Sequence, residues 1–268
     1  MRFYGVHSRS LVTRWRTWIF RETARHHHKR AIRGGAMKTI KTRGLVLKEY
    51  ETGEADKRIL LMCKEHGRIM AYARGARKPR SKFMAAAQMF TYSNFVLAQG
   101  RGFFSVTQAD VIESFYDLRT DYDRLCAAHS ITDICDKTLL ENSNCNELLL
   151  LVLKSLSHLT KGKLTPTQIT SVFMLRFFDL YGLRPTTNTC AVCGADIANV
   201  NALWGAEGFT CKDHAQNRNL PLSAAAAAAV SFILNNELPQ SFRFEVTESV
   251  LEELQNATKL LWDFHFSR

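Results

Sequence analysis

Short apolar runs separated by turn residues dominate the chain between residues 40 and 112. Apolar and polar residues alternate over Phe104–Thr107, which is the two-residue period of a half-buried strand. Dipeptides such as Thr52-Gly53 and His66-Gly67 supply turn signals between the runs. The pattern predicts strands at residues 43–50, 58–63, 68–74, 89–97 and 103–107. Five short strands without a long helix between them favour a small closed barrel, for which the OB-fold is the commonest five-stranded solution.

After residue 118 the apolar residues recur at helical spacing. One helix start is well marked, because Thr165 can cap the helix, Pro166 suits its first position and Gln168 can complete a capping box. We expect that helix to stop at Gly182, with Pro185 just beyond it. The predicted helices cover residues 120–140, 146–160, 165–181, 223–235 and 247–264.

Three cysteines and a histidine give the strongest chemical signal in the sequence. Two residues separate Cys190 from Cys193 and Cys211 from His214, and 17 residues lie between the two pairs. This is zinc-ribbon spacing, in which two tight knuckles supply the tetrahedral sulfur and nitrogen ligands that suit Zn²⁺. Four protein ligands would leave no coordination position for water, so we expect one structural zinc ion. The alternative is three buried free cysteines beside a surface histidine.

Together these patterns predict an α+β protein with three segments. An N-terminal five-stranded OB-fold barrel covers residues 37–118, and an α-helical domain with a zinc-ribbon-like insertion at about 186–218 covers residues 119–268. The Arg-rich residues 1–36 could be an organelle-targeting peptide, a nucleic-acid-binding arm or an extension outside the fold. We favour an extension that is disordered or not native, because Met37 directly precedes the first strand pattern.

Positive charge is concentrated in the first half of the chain. Of the formal net charge of +11, residues 1–36 carry +8, residues 37–118 carry +6 and residues 119–268 carry −3. The barrel's basic residues cluster in and around a loop between two strands, as a phosphate backbone would require, although a merely solvated loop is the alternative. Such contacts predict sequence-independent, salt-dependent nucleic-acid binding. The expected nucleic-acid-binding residues are Lys57, Arg58, Arg68, Arg74, Arg77, Lys78, Arg80 and Lys82.

Six aromatic residues accompany this basic stretch. We expect one or two of them to face a groove and stack on bases, and the others to pack in the core. The six residues are Tyr72, Phe83, Phe90, Tyr92, Phe103 and Phe104.

Several function classes lack their sequence signals. No apolar run approaches the roughly 18 residues of a membrane span, so we expect no membrane partner. The chain has no Walker loop, no G-x-G-x-x-G motif and no zinc-deaminase pattern, so we expect no enzymatic activity and no catalytic residue. Seven unevenly spaced cysteines fit reduced thiols in the cytoplasm better than a disulfide scaffold. A zinc-dependent enzyme acting on nucleic acid and a zinc-ribbon protein-interaction module remain the alternative functions.

A series of short motifs runs through the chain from about Met37 to the C-terminus. The motifs are Gly53–Arg58, Glu65–Arg68, Ala73–Arg77, Gly100–Gly102, Thr107–Asp110, Phe177–Pro185 and the Cys190–Cys193 knuckle. In this order and spacing they resemble the bacterial recombination mediator family RecO.

The resemblance implies a role in recombinational repair. RecO proteins bind single- and double-stranded DNA, anneal complementary strands and help to load the RecA recombinase onto DNA coated with single-strand-binding protein. The implied partners are RecR and the C-terminal tail of single-strand-binding protein, with RecA acting indirectly, and the implied location is the cytoplasm, at the nucleoid. The family's DNA-contacting positions match Arg68, Arg74, Arg77 and Lys78, while His214 departs from its four-cysteine zinc pattern.

Overall fold

Residues 39–113 form a closed five-stranded barrel in which the strands, numbered along the chain, have the order β1-β2-β3-β5-β4. The computed structural model describes residues 38–100, 102–197 and 203–266, so the prediction for residues 1–36 lies outside the described residues. Neighbouring strands are antiparallel except for β3 and β5, which are parallel. This architecture confirms the predicted OB-fold barrel. The strands are β1 (Thr39–Thr52), β2 (Asp56–Cys63), β3 (Gly67–Ala73), β4 (Tyr92–Gln99) and β5 (Phe104–Glu113).

The barrel buries both faces of its second strand. Ile59 and Leu61 point into the barrel, where they pack with Phe95 and other interior residues. The alternate residues Leu60 and Met62 belong instead to the hydrophobic core that the barrel shares with the helices. This double burial explains the continuous apolar run at the end of β2, because a strand covered on both faces has no polar side.

The second half of the chain is helical, and the five predicted helices are present with ends within two residues of those expected. Thr165 caps the third, accepting a hydrogen bond from the backbone N–H of Gln168 at 3.2 Å. The short helix Leu238–Ser241, between the fourth and fifth predicted helices, was not predicted. The small sheet with the strand order β7-β6-β8 was not predicted either. The helices are α1 (Tyr122–Thr138), α2 (Asn146–Lys161), α3 (Pro166–Leu180), α4 (Ala224–Asn235), α5 (Leu238–Ser241) and α6 (Glu248–Phe266), and the small strands are β6 (Leu203–Gly205), β7 (Gly208–Thr210) and β8 (Leu220–Pro221).

A polar cluster ties the barrel to α1. The Lys48 ammonium on β1 lies 2.9 Å from a carboxylate oxygen of Asp133 and of Asp136. Arg68 on β3 approaches the other oxygen of Asp136 at 2.8 Å. Hydrogen bonds to Asp136 and Asp133 raise the pKa of Lys48 above its usual value. The cluster therefore joins the two cations of the barrel to the two carboxylates of the helix.

Backbone contacts at Gly67 complete this junction. Gly67 has φ of +63°, and a Cβ there would lie 2.1 Å from the carbonyl oxygen of Leu140. The backbone N–H of Arg68 donates to that oxygen at 3.0 Å, and the N–H of Asn142 donates to the carbonyl of His66 at 2.9 Å. Lys38–Arg268 forms one compact unit. The proposed division into separate domains at residue 118 stays a prediction.

None of the helices in the described part of the chain has the length and apolar character needed to cross a membrane.

Candidate nucleic-acid interface and metal centre

The basic turn, which we define as Arg74–Lys82, is anchored to the turn between β1 and β2. The backbone N–H of Arg77 donates to the carbonyl of Ala55 at 2.9 Å. The N–H of Gly75 donates to the Asp56 carboxylate at 2.7 Å. These bonds fix the backbone of the basic turn at one end of the barrel, while most of its charged side chains project into solvent.

Four basic residues of this turn are exposed and have no carboxylate partner among the described residues. Arg74, Lys78 and Arg80 form no ion pair with any residue that the structure describes. Lys82 donates to the carbonyl of Thr107 at 3.3 Å, a neutral acceptor that leaves its charge uncompensated. The turn therefore presents uncompensated positive charge, as a polyanion would require.

Two other predicted contacts are already paired with carboxylates. Lys57 forms an ion pair with Glu49 on the neighbouring strand. The Arg77 guanidinium lies 3.0 Å from the Glu51 carboxylate, which is itself largely exposed. A largely exposed ion pair is screened by water and exchanges readily, so Arg77 can turn to a phosphate at small cost.

Arg68 lies apart from the basic turn. Its ion pair with Asp136 places it at the junction with α1, at the opposite end of β3 from Arg74. A phosphate at Arg68 would have to compete with a carboxylate that is only 16% exposed. A nucleic-acid contact for Arg68 stays a prediction, and the structure gives this residue a direct part in joining the barrel to the helices.

The aromatic residues divide by their surroundings. Phe83 and Phe90 are buried. Tyr92 packs against the core shared with the helices, and Phe104 packs against the barrel interior. Phe103 is exposed and meets the ring of Tyr72 edge-on, with 5.6 Å between the ring centroids. Among the six residues only Phe103 is exposed, and its partner Tyr72 lies two residues before the basic turn.

Tyr50 is a further residue of this region that the pattern of basic and aromatic residues did not indicate. Tyr50 is exposed, and the guanidinium carbon of Arg58 lies 5.4 Å from its ring centroid. The two residues are cross-strand partners in the β1–β2 hairpin. Reading the register outward from the turn at Gly53 would have paired them, since the pairing follows from the position of the turn.

The Cys and His residues of the predicted metal site converge. The ligand atoms of Cys190, Cys193, Cys211 and His214 all lie within 4.8 Å of one another. The sulfur atoms of Cys193 and Cys211 are 4.0 Å apart, and the Cys211 sulfur is 3.1 Å from Nδ1 of His214. Tetrahedral zinc with Zn–S bonds of about 2.3 Å would hold two sulfur atoms about 3.8 Å apart. The four groups are thus placed where they could hold one metal ion.

The backbone around Cys190 favours the thiolate. Burial raises the pKa of this thiol, but N–H donors from Cys193, Cys211 and Val192 outweigh it and lower the pKa to about 6. One of these donors is the Cys211 N–H, at 3.3 Å from the Cys190 sulfur. A deprotonated sulfur is the form that binds a metal, so the first knuckle is prepared for a cation.

Comparisons with known proteins cover nearly all of the described chain. The family model described as Recombination protein O N terminal matches residues 37–115, and the model described as Recombination protein O C terminal matches residues 119–268.

Individual relatives give the same result. The DNA repair protein RecO of Acetivibrio thermocellus is 40% identical over 221 residues, which is 81% of this chain and 88% of the relative. The DNA repair protein RecO of Alkaliphilus metalliredigens is 28% identical over 85% of this chain and 94% of the relative. The DNA repair protein RecO of Desulforamulus reducens is 29% identical over 87% of this chain and 91% of the relative. With both halves of the chain matched, the protein belongs to the RecO family of DNA repair and recombination proteins.

Proposed function

We propose that this protein is a recombination mediator that binds single- and double-stranded DNA without catalysing a covalent step. The observation that carries the proposal is the basic turn, whose Arg74, Lys78 and Arg80 project into solvent without a carboxylate partner in the described chain. Such cations release counterions from a phosphate backbone and carry little sequence information.

Annealing of complementary strands follows from the same electrostatics. Two strands repel each other through their phosphates, and a surface that neutralises both lowers this barrier. Exposed Arg and Lys side chains bind phosphates while leaving base edges free, so the strands can still search for their pairing register. No proton transfer or covalent intermediate is required.

The proposed DNA contacts differ in availability. Arg74, Lys78, Arg80 and Lys82 are the first contacts, because no carboxylate competes for them among the described residues. Arg77 and Lys57 join by exchanging Glu51 and Glu49 for phosphate. The proposed set also includes Arg58 and Arg68.

We further propose that Cys190, Cys193, Cys211 and His214 hold one structural zinc ion. The donor set of three sulfurs and one imidazole nitrogen suits this metal. Zinc would cross-link the first knuckle to the segment after β7 and stabilise the local fold. All four donors converge on one point, which favours a closed structural site over the alternative of a zinc-dependent enzyme.

The remaining functional proposals rest on family membership. They are loading of RecA onto DNA coated with single-strand-binding protein, contact with RecR and with the tail of single-strand-binding protein, and action in the cytoplasm at the nucleoid. The segment with the proposed zinc site could also act as a protein-interaction module, a second role that is compatible with DNA binding by the barrel.

The central test changes three charges of the basic turn. We expect the combined variant Arg74→Ala, Lys78→Ala and Arg80→Ala to bind single-stranded DNA more weakly, and the slope of log affinity against log salt to fall by about 2, at about 0.7 per phosphate contact. A control variant removes three exposed lysines of the helical half: Lys154, Lys161 and Lys163.

The measurement is fluorescence anisotropy of a labelled oligonucleotide at several salt concentrations, followed by an annealing assay with two complementary strands. An unchanged salt slope in the triple variant, or an equal loss in the control, would refute the assignment of DNA binding to the basic turn.

A further inference from the structure

Four side chains form a row on the outer face of the barrel, at the end that carries the basic turn. Tyr50, Arg58 and Tyr72 are direct cross-strand partners on β1, β2 and β3. Directly opposed residues project from the same face of a sheet. Phe103, in the loop before β5, continues the row by its edge-on contact with Tyr72. We call these four residues the aromatic platform.

The platform exposes ring surface to solvent. Tyr50 is 38% exposed and Phe103 is 41% exposed. Further along β2, Leu60 and Met62 on the outer face are covered by the helices. The outer face of the barrel therefore changes from a covered apolar surface to an open aromatic one at the end that carries the basic turn.

The loop before β5 makes room for the Phe103 ring. A Cβ on Gly100 would lie 3.1 Å from the Cζ atom of that ring. A side chain at residue 100 would push the ring away, so the glycine allows Phe103 to lie close over its own loop.

Arg58 lies within the row with its charge available. Its guanidinium carbon lies over the Tyr50 ring at 5.4 Å, and the residue forms no ion pair in the part of the chain that the structure describes. Its buried Nε atom has no hydrogen-bond partner. A guanidinium held over a ring can still bind a phosphate or stack on a base.

The phosphate-binding cations lie beside the rings. Tyr72 precedes Arg74 by two residues, and the Arg77 backbone is bonded to the β1–β2 turn that connects Tyr50 with Arg58. Single-strand binders combine a cationic track with aromatic rings on which successive bases stack. Cations and aromatic rings are both present at this end of the barrel. This combination favours a nucleic acid, and not an apolar protein segment, as the ligand of the platform.

We propose that Tyr50, Arg58, Tyr72 and Phe103 form a base-stacking subsite that makes the protein prefer single-stranded nucleic acid to duplex. This inference rests on the proposed function and adds contacts to the bases. In a duplex the base faces stack on each other and are not accessible to the platform. Cations alone would favour the duplex, because it carries the denser charge.

The experiment compares two ligands of equal length and charge, a 12-nucleotide oligo(dT) and the same backbone with every base removed. We expect the full-length protein to bind oligo(dT) more tightly. Phe103→Leu keeps apolar bulk but removes the ring, and should weaken oligo(dT) binding by about 5- to 150-fold, the range for one stacked base. It should leave the binding of the abasic backbone and the salt slope unchanged.

Two further variants separate stacking from folding. Phe103→Trp should retain oligo(dT) binding, and its fluorescence should be quenched by oligo(dT) but not by the abasic backbone. Tyr122→Leu is the matched control, because this tyrosine is 80% exposed at the start of α1 and should have no effect.

The outcomes distinguish this inference from the function on which it rests. Equal affinity for the two ligands would overturn the stacking subsite while leaving the basic turn as the DNA contact. Equal losses of both ligands in Phe103→Leu would also overturn it, since the ring would then act on the fold. Failure to bind either ligand at low salt would overturn the proposed function itself.

Discussion

Replacement of Gly67 by alanine probes the junction between the barrel and the helices. Gly67 has φ of +63°, and its Cβ position is only 2.1 Å from the Leu140 carbonyl oxygen. Gly53 provides the control, because it has φ of +58° with nothing within 4 Å of its Cβ position. The two substitutions impose the same backbone strain, and only the one at Gly67 forces two segments apart.

The expected difference in stability between the two variants can be worked out from the structure. The left-handed conformation costs an alanine about 1–2 kcal/mol at either position. At Gly67 the clash also displaces the N–H of Arg68 from Leu140 and the N–H of Asn142 from His66, at present 3.0 and 2.9 Å from their acceptors. Two net hydrogen bonds are worth about 1–3 kcal/mol. We expect Gly67→Ala to lower the free energy of unfolding by about 2–5 kcal/mol and Gly53→Ala by about 1–2 kcal/mol.

Urea denaturation followed by far-ultraviolet circular dichroism measures both variants. A loss of cooperativity in Gly67→Ala alone would mean that the barrel and the helices then unfold separately, as expected for a broken junction. Equal destabilisation of the two variants would refute the reasoning, because the close approach to Leu140 would then contribute nothing.

Three other outcomes can be measured on the same protein. Asp136→Asn changes a carboxylate that is only 16% exposed and faces two cations, and should lower the free energy of unfolding by about 1.5–3 kcal/mol. The control Asp263→Asn, in an exposed ion pair within one helix, should lower it by about 0.5 kcal/mol or less. Similar losses in the two variants would contradict a role for Asp136 in the junction between the barrel and the helices. Burial and the nearby cations lower the pKa of His158, so its folded state favours the neutral ring, and stability should fall as the pH drops below about 6.5. The His158 ring stacks on Phe242, with 4.4 Å between the ring centroids. His158→Phe keeps a ring there, and its free energy of unfolding should fall less between pH 7 and pH 5 in the same titration. If the proposed zinc ion is bound, His214→Cys should still hold one zinc ion per chain and should resist chelators for longer than the unchanged protein, whereas unchanged chelator resistance would place residue 214 outside the site.

Local signals in the sequence were sufficient for most of the secondary structure. The third helix was placed within one residue because Thr165 and Pro166 define its start through contacts within four residues. The second half of β5, Gln108–Glu113, was missed because its residues are nearly all exposed and show no alternation. The three-residue strands β6 and β7 are too short to carry a period and are held by pairing with each other.

The candidate sites also contain one feature that the sequence could predict and one that it could not. The Cys and His cluster was predictable because each knuckle is a local turn and only the meeting of the two knuckles is long-range. The ion pair of Arg68 with Asp136 was not, because it depends on how β3 docks against α1. A count of basic residues cannot distinguish such a paired arginine from an unpaired one such as Arg74.

In the function that we propose, the helices that cover part of the outer barrel face would also limit the length of DNA strand that the protein can bind. Three strands at about 4.8 Å spacing make a row about 10 Å wide, to which the 5.6 Å separation of Tyr72 and Phe103 is added. In the function that we propose, a footprint of this width would engage only a few nucleotides, near the lower end of the roughly 4–16 that an OB-fold can hold. Bases on either side would stay available to a complementary strand, and so short a contact would let the finished duplex dissociate.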